Sequence, residues 1–466
     1  MIFIRIISVA LAIGGFITNG SGRPNIIYIL ADDLGYADVG CYGGKVIQTP
    51  RIDQMREEGM LFSQHYSGST VCAPTRCVLM TGLHTGHAHI RGNGGPGLRN
   101  KDITIAKLLQ KAGYRTAAIG KWGLGGPGSD GVPNKQGFDY WFGYLSQSRA
   151  HHYYPPFLWR NQQKIHYPNN PEMRTHYSHD LFTREALEFI ERNTESPFFL
   201  YLAYTIPHVD LDVPDDSIEP YLSKIKEKGP YGKPGGQHYR HTKQPRATFA
   251  GMVSRLDRDV GRLLDKLDKL QISKNTVVIF SSDNGPTSAG GADPDYFDGN
   301  GQFRGIKRDL YEGGIRVPMI AKWPGKVSMG STSSHISAHW DVMSTLAELS
   351  ELPVNHLPKT DGISFVPTLL GTGNQKKHDY LYWEFFEKGG KQAIRMGKWK
   401  GVKLGLKNNK NALLELYDLD SDPSESNDLN QQYPDIVNEL ENKLANARTE
   451  STFFSWENKK RKTKAQ

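Results

Sequence analysis

Short apolar runs that end in polar residues recur along this chain, and they constrain its fold more than any other feature. Asn25 to Leu30 runs into Ala31-Asp32-Asp33, and Val277 to Phe280 runs into Ser281-Ser282-Asp283-Asn284. A helical stretch before the second run places its apolar residues on one face between Met252 and Leu270. Strands that alternate with helices indicate an α/β fold.

The polar residues that follow these runs are far apart in sequence but can meet in the fold. In an open α/β sheet, functional sites form at the carboxyl ends of the strands. Two more strand-like runs, Thr116 to Ile119 and Phe198 to Tyr204, lead into Gly120-Lys121-Trp122 and Pro207-His208. We therefore expect one edge of the sheet to gather Asp32, Asp33, Lys121, His208, Asp283 and Asn284.

The chain changes character near Gly371, where we predict a domain boundary. Four short strand-like runs follow, namely Tyr380 to Phe386, Ala393 to Met396, Trp399 to Leu404 and Leu413 to Leu419. They are typical of antiparallel hairpins, which a helix around Leu440 could cover. We predict a catalytic domain over residues 23–371 and a smaller α+β subdomain with a basic tail over residues 372–466.

The first 22 residues are typical of a secretory signal peptide. Arg5 precedes an apolar stretch from Ile6 to Ile17, and the small polar run Asn19-Gly20-Ser21-Gly22 follows it. The stretch is shorter than the ~20 residues of a membrane-spanning helix. We expect a secreted or periplasmic protein with no stable membrane span after cleavage, and an uncleaved anchor is the alternative.

Charge gives a weaker constraint on the partners of the chain. Lys and Arg number 57 against 49 Asp and Glu, and the run Lys459 to Lys464 holds part of the excess. A solvated tail explains that run, and a basic surface that attracts an anionic substrate is the alternative. We expect no nucleic-acid partner, because the sequence shows neither zinc-finger spacing nor an RNA-binding aromatic motif.

Three cysteines, Cys41, Cys72 and Cys77, are too few for a disulfide scaffold in an exported protein, and whether Cys41 and Cys77 pair is left open. Cys72 begins the segment Cys72-Ala73-Pro74-Thr75-Arg76, which leads into a helix because Pro74 suits a first helical turn. A helix N-terminus at Cys72 favours a bound anion, and Arg76, one turn along, can point back at it.

This segment, with the Leu-Met-Thr-Gly sequence that follows, resembles the type I sulfatases of the alkaline phosphatase superfamily, although Thr75 stands where many members have Ser. Other segments similar to that family occur in the same order: Asn25 to Asp33, Gly120 to Trp122, Pro207-His208, Ser282 to Gly285, Arg304 to Lys307, Tyr311 to Pro318 and Asp361 to Ser364. The resemblance implies an alkaline-phosphatase-like fold, with a large, mixed, mostly parallel sheet flanked by helices.

The resemblance also implies a modified nucleophile and one bound metal ion. In that family the cysteine at the position of Cys72 is converted to formylglycine (3-oxoalanine), so a formylglycine-generating maturation enzyme is an expected partner. The metal ion implied by the resemblance is calcium, and oxygen ligands suit Ca²⁺ or Mg²⁺ better than zinc. Its expected ligands are Asp32, Asp33, Cys72, Asp283 and Asn284.

Sulfate ester hydrolysis explains why these residue types are needed. A catalyst must supply a nucleophile, positive charge around the sulfate oxygens and a proton for the leaving group. One hydroxyl of a hydrated aldehyde can attack sulfur, and the other can then expel sulfate. We expect Lys121 and Lys307 to hold the sulfate, Arg76 to act beside Cys72, and His208 to be the general acid or a further sulfate contact.

The chain departs from the family pattern at Gly123, where many relatives have a histidine two residues after the lysine. His151 or His152 could replace that side chain from another loop, and we expect both to bind substrate. Arg160, which can fork onto anionic groups, and Arg304 are further candidates. The expected substrate is a sulfated saccharide or another sulfate ester.

Two other functions remain possible from the sequence. A phosphatase or phosphodiesterase of the same superfamily would use Ser or Thr and a two-metal site with several His ligands. The run that ends in Asp32-Asp33 lacks such histidines, and Cys72 holds the nucleophile position. A catalytically silent protein that binds sulfated glycans is the second alternative, and Gly123 is the residue that favours it.

Overall fold

The computed structural model describes residues 22–235, 238–409 and 411–456. Almost all of the predicted signal peptide, and the whole basic run from Lys459 to Lys464, lie outside these ranges. Within them, every helix is too short or too polar to cross a membrane.

The strands of the described ranges form three sheets, of ten, two and four strands. In chain order they are β1 (Asn25–Asp32), β2 (Met60–Phe62), β3 (His65–Tyr66), β4 (Arg115–Lys121), β5 (Tyr140–Tyr144), β6 (Phe157–Arg160), β7 (Gln163–His166), β8 (Phe198–Pro207), β9 (Thr276–Ser282), β10 (Met319–Lys322), β11 (Ser331–Ser333), β12 (Ser337–Ala338), β13 (Leu381–Phe385), β14 (Lys391–Met396), β15 (Trp399–Leu404) and β16 (Leu414–Asp418).

The α-helices of the same ranges vary from single turns to a long amphipathic helix that confirms the apolar periodicity around Met252. They are α1 (Pro50–Glu57), α2 (Cys72–Thr81), α3 (Ile105–Lys111), α4 (Asn170–Met173), α5 (Ser178–Arg192), α6 (Asp215–Ile218), α7 (Pro245–Lys269), α8 (Pro294–Phe297), α9 (Glu312–Ile315), α10 (Asp341–Leu349), α11 (Val366–Leu370) and α12 (Pro434–Asn446).

The ten-stranded sheet is mixed and has a parallel centre. Its order is β11-β2-β10-β9-β1-β8-β4-β5-β6-β7, and β9, β1, β8, β4 and β5 run parallel to their neighbours within this group. Strand β10 pairs antiparallel with β9, and β6 pairs antiparallel with β5. The expected α/β fold with a mostly parallel sheet is therefore confirmed.

Helices cover both faces of this sheet, which explains why its central strands are mainly apolar between their ends. Side chains of β1 alternate between two hydrophobic cores: Tyr28 packs into the one with α2 and α10, and Ile29 packs into the one with α5 and α7. Strand β1 is buried on both faces, and its polar residues are confined to its two ends, Asn25 at the start and Asp32 at the carboxyl end.

The four-stranded sheet is antiparallel, in the order β13-β14-β15-β16, as the hairpin pattern predicts. One face packs on α12 through Leu440 and Leu444. The other face contributes Trp383 to the same core as the ten-stranded sheet, and its indole donates a hydrogen bond of 2.9 Å to the carbonyl of Ser67. The small sheet is thus anchored on the large one, and the boundary near Gly371 stays a prediction.

Candidate active site

The carboxyl ends of β1 and β9 bring three carboxylates together. The two strands are parallel neighbours, with Ala31 paired to Ser282, so the residues that follow each strand leave the sheet side by side. The backbone N–H of Asp33 donates to Oδ1 of Asp283 at 3.1 Å. Asp32, Asp33 and Asp283 are all fully buried. Three carboxylates in so small a buried volume require compensating positive charge.

Cys72 is the first residue of α2, which begins after Val71. Its Sγ donates to Oδ1 of Asp32 at 3.2 Å. Burial raises the pKa of the Cys72 thiol, and the charges of Asp283 and Asp32 raise it further. The unmodified side chain is therefore held as a neutral thiol, which is a poor nucleophile.

Arg76 joins helix α2 to the ends of the strands. Its Nη2 lies 3.0 Å from Oδ2 of Asp283 and 3.3 Å from Oδ2 of Asp32, and its Nη1 donates to the carbonyl of Lys121 at 2.8 Å. The side chain is fully buried. The predicted orientation of Arg76 toward the site is therefore present, with its charge placed on the carboxylates.

Two lysines complete the charge balance. Nζ of Lys121 lies 2.6 Å from Oδ2 of Asp32. Nζ of Lys307 lies 2.5 and 2.7 Å from the two oxygens of Asp33 and 3.6 Å from Sγ of Cys72. Burial alone would raise the pKa of Asp32, but Lys121 and the other cations hold it well below its usual value. Both lysines keep raised pKa values despite burial, because the carboxylates favour their charged forms.

His208 follows β8 and faces the same carboxylates. Its Nε2 lies 3.5 Å from Oδ2 of Asp33, and its Nδ1 donates to the carbonyl of Val209, which leaves Nε2 unprotonated in the neutral ring. Burial lowers the pKa of His208 to about 4, against the opposing effect of Asp33. The ring of His151 stacks on that of His208 with centroids 4.5 Å apart.

The oxygen-rich cluster fits a hard divalent cation. Oδ1 of Asn284 is buried and has no hydrogen-bond partner among the described residues, while its Nδ2 donates to Asp33 at 2.8 Å. Burial and the nearby Asp32 raise the pKa of Asp283 to about 7. A cation would relieve both the unpaired amide oxygen and this carboxylate repulsion. One potential ligand atom from each of four residues falls within 4.8 Å of the others: Asp32, Asp33, Cys72 and His208.

A cavity of about 280 Å³ opens onto this cluster. Among the residues that sequence analysis singled out, it is lined by Asp33, Cys72, Lys121, His151, His208 and Lys307. The lining also includes residues that sequence analysis missed: Asn93, Gln147, Tyr239, Thr287, Arg308 and Lys388. Gln147 could have been found from the sequence by its position, because it follows β5, and β5 is the parallel neighbour of β4, which ends at Lys121.

Three of the expected substrate contacts are absent from the lining of this cavity, namely His152, Arg160 and Arg304. His152 turns toward Asp210, with Nδ1 2.9 Å from Oδ2, and the two line a different depression. Arg160 pairs with Glu185 at the far edge of the sheet. Both side chains are therefore engaged with carboxylates outside this cavity.

Arg304 is likewise held away from the lining of the cavity. Its guanidinium lies 4.0 Å from the ring centroid of Tyr311 and donates to the carbonyl of Glu425 at 2.9 Å. The residue therefore ties the loop before α9 to the segment after β16, although Lys307, only three positions later, reaches the site.

Another cluster of potential metal ligands lies outside the cavity. His84, His87 and Asp361 place one ligand atom each within 4.8 Å. Asp361 accepts from the backbone N–H of His84 at 3.0 Å and lies 2.9 Å from Nδ1 of His87, so its oxygens already have partners. Cys41 and Cys77, whose pairing the sequence left open, are both free.

Fold and site together define a class of protein. A parallel-centred sheet carries a buried acidic cluster at its strand ends, and a helix N-terminus presents residue 72 beside two lysines and a histidine. These are the features of a hydrolase with an alkaline-phosphatase-like fold that acts on an anionic ester.

Comparison with known proteins narrows this class. The family model described as Sulfatase matches residues 24–352, and the model described as N-sulphoglucosamine sulphohydrolase, C-terminal, matches residues 301–450. The chain belongs to the sulfatase family and is a sulfuric ester hydrolase.

Relatives and solved structures agree with this assignment. The chain is 30% identical to an N-acetylgalactosamine-6-O-sulfatase of Bacteroides thetaiotaomicron, over 92% of this chain and 94% of the relative. It is 32% identical to the N-acetylgalactosamine-6-sulfatase of Homo sapiens, over 74% and 66%. The crystal structure of Ps i-CgsB in complex with k-i-k-neocarrahexaose matches with a TM-score of 0.77 and 31% identity, covering 93% of this chain and 95% of that one.

Proposed function

We propose that this hydrolase removes sulfate from a sulfated carbohydrate, with Cys72 converted to formylglycine and one calcium ion bound at the ends of β1 and β9. The observation that supports this most directly is the position of Cys72. It lies on the cavity wall at a helix N-terminus, 3.6 Å from Lys307, in a setting that suppresses its thiolate form. A cysteine that is not activated as a thiol, yet stands where the substrate must react, favours a modified nucleophile.

The modification supplies what the thiol lacks, since a hydrated formyl group offers a hydroxyl nucleophile. Sγ of Cys72 stands in the structure for the oxygen atoms of that group. A formylglycine-generating maturation enzyme is therefore a required partner.

Calcium is the proposed cation because the candidate ligands are hard oxygen donors. Asp32, Asp33, Asp283 and Asn284 would hold it, together with the modified residue 72. When bound, the ion supplies positive charge that stabilises the anionic reacting group. The unpaired Oδ1 of Asn284 and the raised pKa of Asp283 support a cation at this position.

The remaining side chains of the site bind and orient the sulfate. Lys121 and Lys307 keep their charge in the buried site, so each can donate to a sulfate oxygen. His208 is neutral, with Nε2 facing the cluster. An anionic ester bound beside it favours the protonated ring, which can then give its proton to the leaving alcohol.

A sulfated carbohydrate is the proposed substrate class. Relatives of this chain are named for N-acetylgalactosamine 6-sulfate, and the similar Ps i-CgsB was crystallised with a neocarrahexaose. Arg308 and Lys388 add positive charge to the lining of the cavity. We also propose that the protein is secreted or periplasmic, where extracellular glycans are met.

Mass spectrometry of the peptide that contains Cys72 tests the modification, and a screen of sulfated saccharides for released sulfate tests the activity. We expect the formyl group in protein produced with a maturation enzyme, and sulfate release that is lost in Cys72→Ala. Aryl sulfate and aryl phosphate, assayed side by side, separate a sulfatase from a phosphatase. Sulfate release by Cys72→Ala at the rate of the unmutated enzyme would refute the proposal.

A further inference from the structure

The backbone at Gly123 leaves a space beside the active site that another residue fills. Gly123 follows Lys121 and Trp122, and its φ is +74°. A Cβ atom placed on Gly123 would lie 2.0 Å from Nε2 of Gln147 and 2.5 Å from its Cδ. These distances are far below van der Waals contact, so a side chain at position 123 would displace the side chain of Gln147 from its present position.

Gln147 reaches this space from the loop after β5. Strand β5 pairs in parallel with β4, with Tyr144 opposite Lys121, so both strands deliver their following residues to the same edge. Gln147 lines the cavity together with Cys72, Lys121 and His208. The glutamine is therefore in the wall that a bound sulfate ester must face.

One polar atom of the Gln147 side chain is unsatisfied. Its Nε2 is buried and has no hydrogen-bond partner among the residues that the structure describes. An unpaired buried donor is destabilising, and a binding partner removes that penalty. The two neighbouring histidines have other contacts: His151 stacks on His208, and His152 pairs with Asp210.

We propose that the side-chain amide of Gln147 donates a hydrogen bond to the sulfate group of the bound substrate, from the space that the absence of a side chain at Gly123 leaves open. This inference rests on the proposed function, because it assumes a sulfate ester in this cavity. Gln147 is a neutral donor that does not titrate, so it binds the sulfate without exchanging a proton.

The decisive variant is Gln147→Met, which keeps most of the side-chain volume and removes the N–H donors. We expect kcat/KM for sulfate release to fall about 10- to 100-fold, in the range of a lost hydrogen bond to a charged group, with an unchanged pH profile. Gln147→Glu, which sets a carboxylate against the sulfate, should lose more. Gln162→Ala, in the exposed turn between β6 and β7, is the control and should retain full activity.

A double-variant cycle tests the shared space itself. Gly123→His alone should lose activity through the clash with Gln147, and histidine is one of the residues that tolerate a positive φ. Gly123→His combined with Gln147→Ala should recover part of that loss, whereas two independent sites would give losses that add.

The outcomes separate the inference from the proposed function. If the unmutated enzyme releases sulfate and folded Gln147→Met does so within twofold, the inference is refuted while the proposed function stands. If Gln147→Met lowers the midpoint of thermal unfolding, the inference is judged on Gln147→Ala and on the double-variant cycle. Additive losses of activity in that cycle refute the claim that a side chain at position 123 and Gln147 share one space. An unmutated, formylglycine-bearing enzyme that releases no sulfate from any saccharide would overturn both.

Discussion

The guanidinium of Arg76 lies 3.0 Å from Oδ2 of Asp283, although the two residues are 207 positions apart in the chain. Both side chains are fully buried. This contact fixes the helix that carries Cys72 against the strand that carries the acidic cluster. The nucleophile position and the proposed metal site are therefore parts of one charge-balanced unit.

Removing Arg76 should damage both stability and activity. Arg76→Ala removes the cation that contacts Asp283 and one of the two that contact Asp32, which keeps Lys121. Loss of a buried counter-charge costs ~3–5 kcal/mol in the free energy of unfolding. Arg76→Lys keeps the charge but cannot make the forked contacts, so it should unfold at a higher urea concentration than Arg76→Ala and still lose activity. Urea unfolding and sulfate release measure the two effects. Equal stability of Arg76→Ala and the exposed control Arg184→Ala would contradict the prediction.

Calcium should stabilise the protein through the acidic cluster of the active site. A ligand that binds only the folded state at 100 times its Kd adds about 2.7 kcal/mol to the free energy of unfolding. Thermal unfolding after chelation and after calcium addition should show this shift in the unmutated protein. The shift should vanish in Asp33→Asn and persist in Asp361→Asn, which alters the other cluster of potential ligands. A shift that depends on Asp361 instead would place the ion elsewhere.

A buried ionic cluster should anchor the four-stranded sheet on the large one. Nζ of Lys400 in β15 lies 2.8 Å from Oε1 of Glu312 in α9 and 3.1 Å from Oε1 of Glu425, and all three side chains are buried. Lys400→Met removes the buried lysine charge that Glu425 faces and one of the two cations that contact Glu312, since Arg316 stays 3.2 Å from Glu312. This loss should cost ~3–5 kcal/mol, measured by urea unfolding. The control Lys398→Met removes a more exposed lysine of the adjacent turn and should change stability little. Similar losses in the free energy of unfolding of both variants would contradict a stabilising role of the buried cluster.

The pair formed by His378 and Asp341 should make stability depend on pH. Their ring nitrogen and carboxylate oxygen lie 2.8 Å apart. Burial would lower the pKa of His378, but Asp341, assisted by Asp361, raises it above its usual value of 6.5. The folded protein then binds the proton more tightly than the unfolded chain does. The stabilisation is complete below pH 6.5 and is lost as pH rises through the folded pKa.

Denaturant unfolding of the unmutated protein and of His378→Gln, at about pH 5 and about pH 9, measures this effect. Glutamine keeps a hydrogen-bond donor but cannot carry the charge. The stability difference between the two proteins should be larger at the acidic pH. A difference that grows toward alkaline pH would have the wrong sign and would contradict the ion pair.

Arg160 should contribute to stability rather than to sulfate release. Its guanidinium donates to Glu185 and to the hydroxyl of Tyr140, and the residue is absent from the lining of the active-site cavity. Arg160→Ala should lower the free energy of unfolding by about 1 kcal/mol, because the arginine is partly exposed. Its KM for a sulfated saccharide should match that of the unmutated enzyme. A KM raised severalfold would restore the sequence-based expectation that Arg160 binds substrate.

Residues that continue directly from strands could be placed from the sequence alone. The apolar runs before Asp32, Lys121, His208 and Asp283 identified the strands, and the carboxyl ends of parallel strands share one edge of a sheet. The residues of α2 were placed in the same way, since Pro74 and the apolar sequence after it mark the beginning of a helix. Short-range patterns therefore determined the fold class and which side chains meet at the ends of the strands.

The tertiary structure alone decided which loop residues enter the cavity. His151 and His152 are adjacent in sequence, yet one stacks on His208 and the other pairs with Asp210. Gln147, from the same loop, takes the space beside Gly123. The direction of a loop side chain depends on backbone turns and on distant partners, and neither leaves a periodic signal in the sequence. The same holds for Lys400, whose two carboxylate partners come from separate segments of the chain.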